Sequence, residues 1–98
     1  MPRLLDDDEI NRQLGNLDDW SREGRALRRT VRAADFPTAI RIVDDVAEIA
    51  EEMNHHPDID IRWRDLHFTL TTHSEGGVTQ FDVELAHRID EAARAHTP

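Results

Sequence analysis

The sequence has 98 residues, 38% of them hydrophobic and 34% charged, with no cysteine and a formal net charge of -9. That composition is too apolar for a disordered chain, the length fits one domain with a small core, and missing cysteine removes disulfides and thiolate chemistry. The negative charge opposes contact with phosphate backbones, so direct nucleic acid binding is not expected.

Residues 1–98 are read as a single domain without internal repeat or linker. No apolar run approaches the roughly 20 residues of a membrane helix, and the start turns acidic at Asp6-Asp7-Asp8, so a protein that avoids membranes and stays in the cytoplasm is expected. A core this small gains from self-association, which points to a homo-oligomer.

Along the chain, Asp6 and Glu9 have the spacing of a capping box, Ile10 and Leu14 share a helical face, and Gly15 suits a stop, which predicts a short first helix. Glu23-Gly24 reads as a turn between two strands. The second strand, Ala26 to Ala33, sets Leu27, Val31 and Ala33 at even spacing among Arg25, Arg28, Arg29 and Arg32, and these arginines are taken as a solvated or interface-pairing face.

From Phe36 to Met53 the apolar residues Phe36, Ala39, Ile40, Val43, Ala47, Ala50 and Met53 recur near the helical period. Asp35 can cap this helix, Pro37 fits its first turn, and Pro57 forces an end around Asn54 to His56. Ile59, Ile61 and Trp63 then alternate, as do Leu66, Phe68 and Leu70. A two-residue turn at Arg64-Asp65, with Trp63 opposite Leu66, keeps both sets on one face.

Gly76-Gly77 ends the last strand, and Thr79 with Asp82 starts a final helix carrying Phe81, Leu85, Ile89 and Ala92, after which Ala93 to Pro98 is expected to fray. The order is α-β-β-α-β-β-α, an α+β domain of two layers. A four-stranded antiparallel sheet is covered on one face by three helices.

Chemistry concentrates in His55, His56 and His73. The first two stand where Pro57 stops the long helix, and the third stands at the end of the last strand, brought back towards them by the hairpin. On that strand His67, Thr69, Thr71 and His73 take the parity opposite to the core. An imidazole with an ordinary pKa of about 6.5 lets one ring donate a proton while another accepts one near neutrality. The alternative is that these are solvated histidines capping element ends.

A three-histidine zinc site is disfavoured because consecutive histidines do not share a helical face. Glu51, one turn before His55, is placed to orient that imidazole or to remain a solvated carboxylate. Asp82 is read as a cap, and Trp20 and Trp63 as packing residues rather than platforms for a flat ligand.

Taken together, Glu51-Glu52-Met53-Asn54-His55-His56-Pro57, Leu70-Thr71-Thr72-His73 and Gly76-Gly77-Val78-Thr79 with Asp82 resemble the pterin-4a-carbinolamine dehydratases. Weaker likeness runs from Leu17-Asp18-Asp19-Trp20 through Leu27, Arg29 and Asp35-Phe36 to the C-terminal helix. The resemblance implies the same three-helix, four-strand fold and assembly into homodimers or homotetramers. It also implies dehydration of 4a-hydroxytetrahydropterin, a by-product of aromatic amino acid hydroxylation, to quinonoid dihydropterin, with no metal or organic cofactor.

Carried over by position, His55, His56 and His73 are the catalytic residues, His55 and His73 moving protons and His56 also holding the ring. Glu51, Pro57, Thr72, Ser74 and Glu75 line the substrate. The family also contains a member that steadies a transcription factor dimer and distant relatives acting as assembly factors. A non-catalytic partner-binding or assembly role on the same fold is therefore the alternative. Two positions depart from the family pattern, Arg64 where asparagine is usual and Ile59 where an aromatic is common.

Overall fold

The protein is described by a computed structural model that covers residues 2–97. In chain order the elements are α1 (Asp7–Leu14), β1 (Ser21–Glu23), β2 (Ala26–Arg32), α2 (Phe36–Met53), β3 (Asp58–Arg62), β4 (Asp65–Leu70), a 3-10 turn (His73–Glu75) and α3 (Gln80–Ala95). All four strands pair antiparallel in the order β1-β2-β4-β3, so the expected α+β fold is the one observed.

Local chemistry accounts for the boundaries. The Asp6 carboxylate accepts from Glu9 N at 2.8 Å while Glu9 Oε1 accepts from Asp6 N at 3.0 Å, which closes a capping box on α1. Asp35 caps α2 through Thr38 N at 2.8 Å, with Pro37 in the first turn, where no intrahelical N–H is needed. The β1–β2 turn places Gly24 at φ 59, a conformation that costs glycine nothing.

Two-residue periodicity sorts the sheet into faces. Leu27 and Val31 of β2 and Leu66, Phe68 and Leu70 of β4 point to the helices and join Ile42 and Val46 of α2 and Leu85 and Ile89 of α3 in one core. Leu66, Phe68 and Leu70 are wholly buried, each contributing about 1.5–3 kcal/mol by leaving water. Arg28, Thr30 and Arg32 lie on the other face with His67 and Thr69, and Thr30 Oγ1 meets His67 Nδ1 at 2.8 Å. No described helix is long and apolar enough to cross a membrane.

Several expectations are corrected. The β3–β4 turn is Trp63-Arg64, not Arg64-Asp65; Ile61 faces Leu66 and Ile59 faces Phe68. Trp63 leaves the core face, adopts φ 55, is 67% exposed and has the Arg64 guanidinium 4.7 Å from its ring. Both registers keep the apolar parity, so alternation alone cannot choose between them.

In α2 the buried stripe is Ala39, Ile42, Val46 and Ala50; Phe36 and Ala47 face outward. Phe81 at the start of α3 is likewise 42% exposed. Ala93 to His96 do not fray as expected: α3 runs to Ala95, and His96 Nε2 meets Asp45 Oδ2 of α2 at 2.6 Å, while Pro98 lies outside the described residues.

Arg29 is the exception among the strand arginines. It shares parity with Leu27 and Val31, so it points inward, where its guanidinium pairs with Asp90 of α3 and lies 3.5 Å from Asp19. Asp90 also accepts from Trp20 Nε1 at 2.8 Å. One carboxylate thus ties the strand, the segment before β1 and the last helix together, satisfying groups that would be costly to bury alone.

Candidate active site

The position of the first histidine is set by how α2 ends. Asn54 adopts φ 50, and the chain closes a Schellman motif in which His55 N donates to Ala50 O at 3.0 Å and Asn54 N to Glu51 O at 3.2 Å. Asparagine tolerates that left-handed geometry better than most side chains. The reversal swings His55 off the helix line towards the first turn of α3.

There His55 Nε2 meets Asp82 Oδ1 at 2.6 Å, with the imidazole only 12% and the carboxylate 0% exposed. Oδ2 of the same carboxylate accepts from Thr79 N at 2.9 Å and from the Thr72 hydroxyl at 2.8 Å. Thr79 Oγ1 lies 2.8 Å from Thr72 Oγ1 and accepts from Phe81 N at 3.3 Å. Because the single hydroxyl proton of Thr72 goes to Asp82, the Thr79 hydroxyl must donate to Thr72.

These directions fix the tautomer of the neutral imidazole. A carboxylate accepts at both oxygens, so Nε2 carries a proton, and in the neutral ring Nδ1 presents a lone pair. Among the described residues no hydrogen-bond partner takes up Nδ1. The Phe81 ring flanks His55 with 5.8 Å between centroids and 36° between planes.

The remaining expected residues fall into two groups. His56 Nε2 pairs with Glu51 on the surface, where the side chains are 56% and 77% exposed. Glu51 thus serves His56 and not His55, since the turn at Asn54 carries His55 away from the helix side on which Glu51 stands. Pro57, half-buried, leads from this pair into β3.

His73, Ser74 and Glu75 form the 3-10 turn after β4, so His73 begins a turn and does not end the strand as expected. Thr72 N donates to Gly77 O at 2.9 Å, and Gly76 at φ 75 closes the turn. His73 and Ser74 are exposed, whereas Thr72 is buried. Asp82 therefore joins the two halves of the site, holding His55 with one oxygen and the residue before His73 with the other.

Sequence reasoning took Asp82 for a helix cap and missed this second role. A cap uses one carboxylate oxygen, and burial obliges the other to find a donor. Among the described residues no three His, Cys, Asp or Glu side chains gather in a way that holds a metal ion.

Comparison with known proteins finds relatives in both sequence and fold. A family model described as pterin 4 alpha carbinolamine dehydratase matches residues 3–92. A relative from Nocardia farcinica, provisionally named a pterin-4-alpha-carbinolamine dehydratase, is 57% identical over 91 residues, covering 93% of this chain and 96% of its own. One from Mycobacteroides abscessus, with the same provisional name, is 54% identical over 87 residues, 89% of this chain and 93% of its own.

Among solved structures, a transcriptional coactivator/pterin dehydratase from Brucella melitensis superimposes with a TM-score of 0.90 at 33% identity, over 93% of this chain and 99% of that one. The fold is also shared by a pterin dehydratase-like protein identified as a RuBisCO assembly factor in the alpha-carboxysome, with a TM-score of 0.66 and 22% identity over 76% and 89% of the two chains. On the match across residues 3–92 and these identities, the chain belongs to the pterin 4 alpha carbinolamine dehydratase family.

Proposed function

We propose that this protein, acting as a single domain, dehydrates 4a-hydroxytetrahydropterin to quinonoid dihydropterin by histidine acid-base catalysis, in the recycling of tetrahydropterin. The observation that carries the reading is the buried Asp82–His55 pair, which leaves a lone pair on Nδ1 of an imidazole at the edge of the core. Family membership supplies the substrate class.

The reaction breaks the C4a–O bond, with a proton delivered to the leaving hydroxyl so that it departs as water. The proton on N5 is removed, and its bonding pair becomes the second bond of C4a=N5. One proton enters and one leaves, so an acid and a base suffice without a net change of protonation. His55 and His73 are the proton-transfer pair. His56, with Glu51 as its partner, holds the bicycle beside Pro57, while Thr72, Ser74 and Glu75 meet its polar edge.

In this scheme Asp82 keeps His55 in one tautomer and steadies its protonated form in passing. Each well-placed group accounts for about 10²- to 10⁴-fold in rate. A homo-oligomer in the cytoplasm completes the reading.

The test is the rate at which purified protein speeds loss of the carbinolamine. His55→Ala and His73→Ala should each lower kcat/KM by about 10²-fold or more with the fold intact by circular dichroism. The alternative, a partner-binding or assembly protein without catalysis, is favoured if folded wild-type protein gives no acceleration over buffer. Wild-type rates in both variants refute the assignment of the histidines.

A further inference from the structure

Phe81 is an exposed aromatic that the core does not use, and it stands against the imidazole that the proposed chemistry does use. It is 42% exposed, and its ring centroid lies 5.8 Å from that of His55. Its other neighbours form a cavity of about 270 Å³, lined by Pro2, Gln80, Phe81 and Glu84. Apolar Phe81 and Pro2 are combined there with an amide and a carboxylate.

Resting on the dehydratase reading, we infer that Phe81, Gln80 and Glu84 form a subsite for the substituent on the pyrazine half of the bicycle, selecting short, neutral, hydroxylated substituents over anionic ones. The geometry follows from the reaction. Whichever proton His55 handles, on N5 or on the C4a hydroxyl, the reacting atoms must come within hydrogen-bonding distance of its ring. The carbon that bears the substituent follows N5 by one bond of about 1.5 Å.

A group on that carbon therefore lies beside His55, and the side chain flanking His55 is Phe81. The cavity that Phe81 lines is also lined by Gln80, able to donate and accept, and Glu84, which accepts from hydroxyls and repels carboxylates. The net charge of -9 strengthens that discrimination at low salt.

The experiment compares kcat/KM at low ionic strength for three carbinolamines: an unsubstituted ring, one with a dihydroxypropyl group and one whose substituent ends in a carboxylate. Wild-type protein should prefer the dihydroxypropyl compound to the carboxylate one by about fivefold, the range of an exposed charge contact, and Glu84→Gln should bring that ratio towards unity. Phe81→Ala should raise KM for the dihydroxypropyl compound roughly tenfold, more than for the unsubstituted ring. Phe81→Leu should recover part of the loss.

Substrate ratios unchanged in Glu84→Gln and Phe81→Ala overturn the subsite while leaving the dehydratase standing. So does an equal loss on the unsubstituted ring in Phe81→Ala, which would mean that Phe81 acts only through His55. If wild-type protein dehydrates none of the three, the activity itself is refuted and the subsite with it.

Discussion

Replacing Asp82 by asparagine removes one charge and keeps the shape, and the hydrogen-bond directions around the site dictate how the neighbours respond. Thr79 N and the Thr72 hydroxyl both donate to the same carboxylate oxygen, at 2.9 and 2.8 Å. Only the amide oxygen of Asn can take that place, so its NH₂ must turn towards His55. His55 Nε2, 2.6 Å from the other oxygen, can then be satisfied only by giving up its proton and accepting. The tautomer inverts, and Nδ1 becomes a donor where a lone pair was required.

Inverting a catalytic tautomer in this way costs up to about 10⁴-fold in kcat where it has been isolated, so a fall of about 10²- to 10⁴-fold in kcat/KM is expected. Stability should change less. Three charge-assisted hydrogen bonds become neutral ones, a loss of about 1 kcal/mol each, or roughly 3 kcal/mol in total for this fully buried group. Carbinolamine decay followed by absorbance gives the rate, thermal melting gives the stability, and ¹⁵N chemical shifts of the imidazole give the tautomer. A variant with the inverted tautomer and wild-type kcat/KM would refute the reasoning.

Other expectations rest on single contacts. Asp90→Ala strands the inward Arg29 guanidinium and frees the Trp20 indole N–H, so a loss of about 3 kcal/mol and a fall in Tm of roughly 10–20 °C are expected in a thermal melt. Asn54→Ala places a Cβ-bearing residue without asparagine's local hydrogen bonding at φ 50 and should cost about 1 kcal/mol in denaturant unfolding, whereas Asn54→Gly should not. The Arg3 guanidinium, 2.7 Å away, and the Asp6 backbone N–H hold the Glu9 carboxyl down from 4.5 to about 2. That depressed value means the tie between Arg3 and α1 is fully present above pH 4.5 and is lost as pH falls towards 2. Glu9→Gln should flatten this part of an acid titration followed by circular dichroism; an unaltered curve would show that the tie contributes nothing measurable.

Much of the site was legible in the chain. Pro57 disfavours helical geometry at its predecessor, and that local rule is enough to end α2 at the histidine pair. Its partner loop was legible through Gly76-Gly77 and the Thr79–Asp82 spacing. Less legible was anything decided by the direction of a side chain leaving an irregular segment. Glu51 sits one turn before His55, yet the left-handed residue Asn54 hands it His56 instead. Arg29 looked like its neighbours on β2, but strand parity sends it inward to Asp90.

The sequence by itself determined the elements, their order, the layering and the family, because capping, proline geometry and the periods of helix and strand act over a few residues. Tertiary structure alone decided the β3–β4 register, since two registers keep the same apolar parity and differ in whether Trp63 faces the core, and the second use of Asp82. That use depends on two helix ends 27 positions apart meeting around a carboxylate with no access to water. A buried oxygen must find a donor, and only packing reveals that the donor is His55.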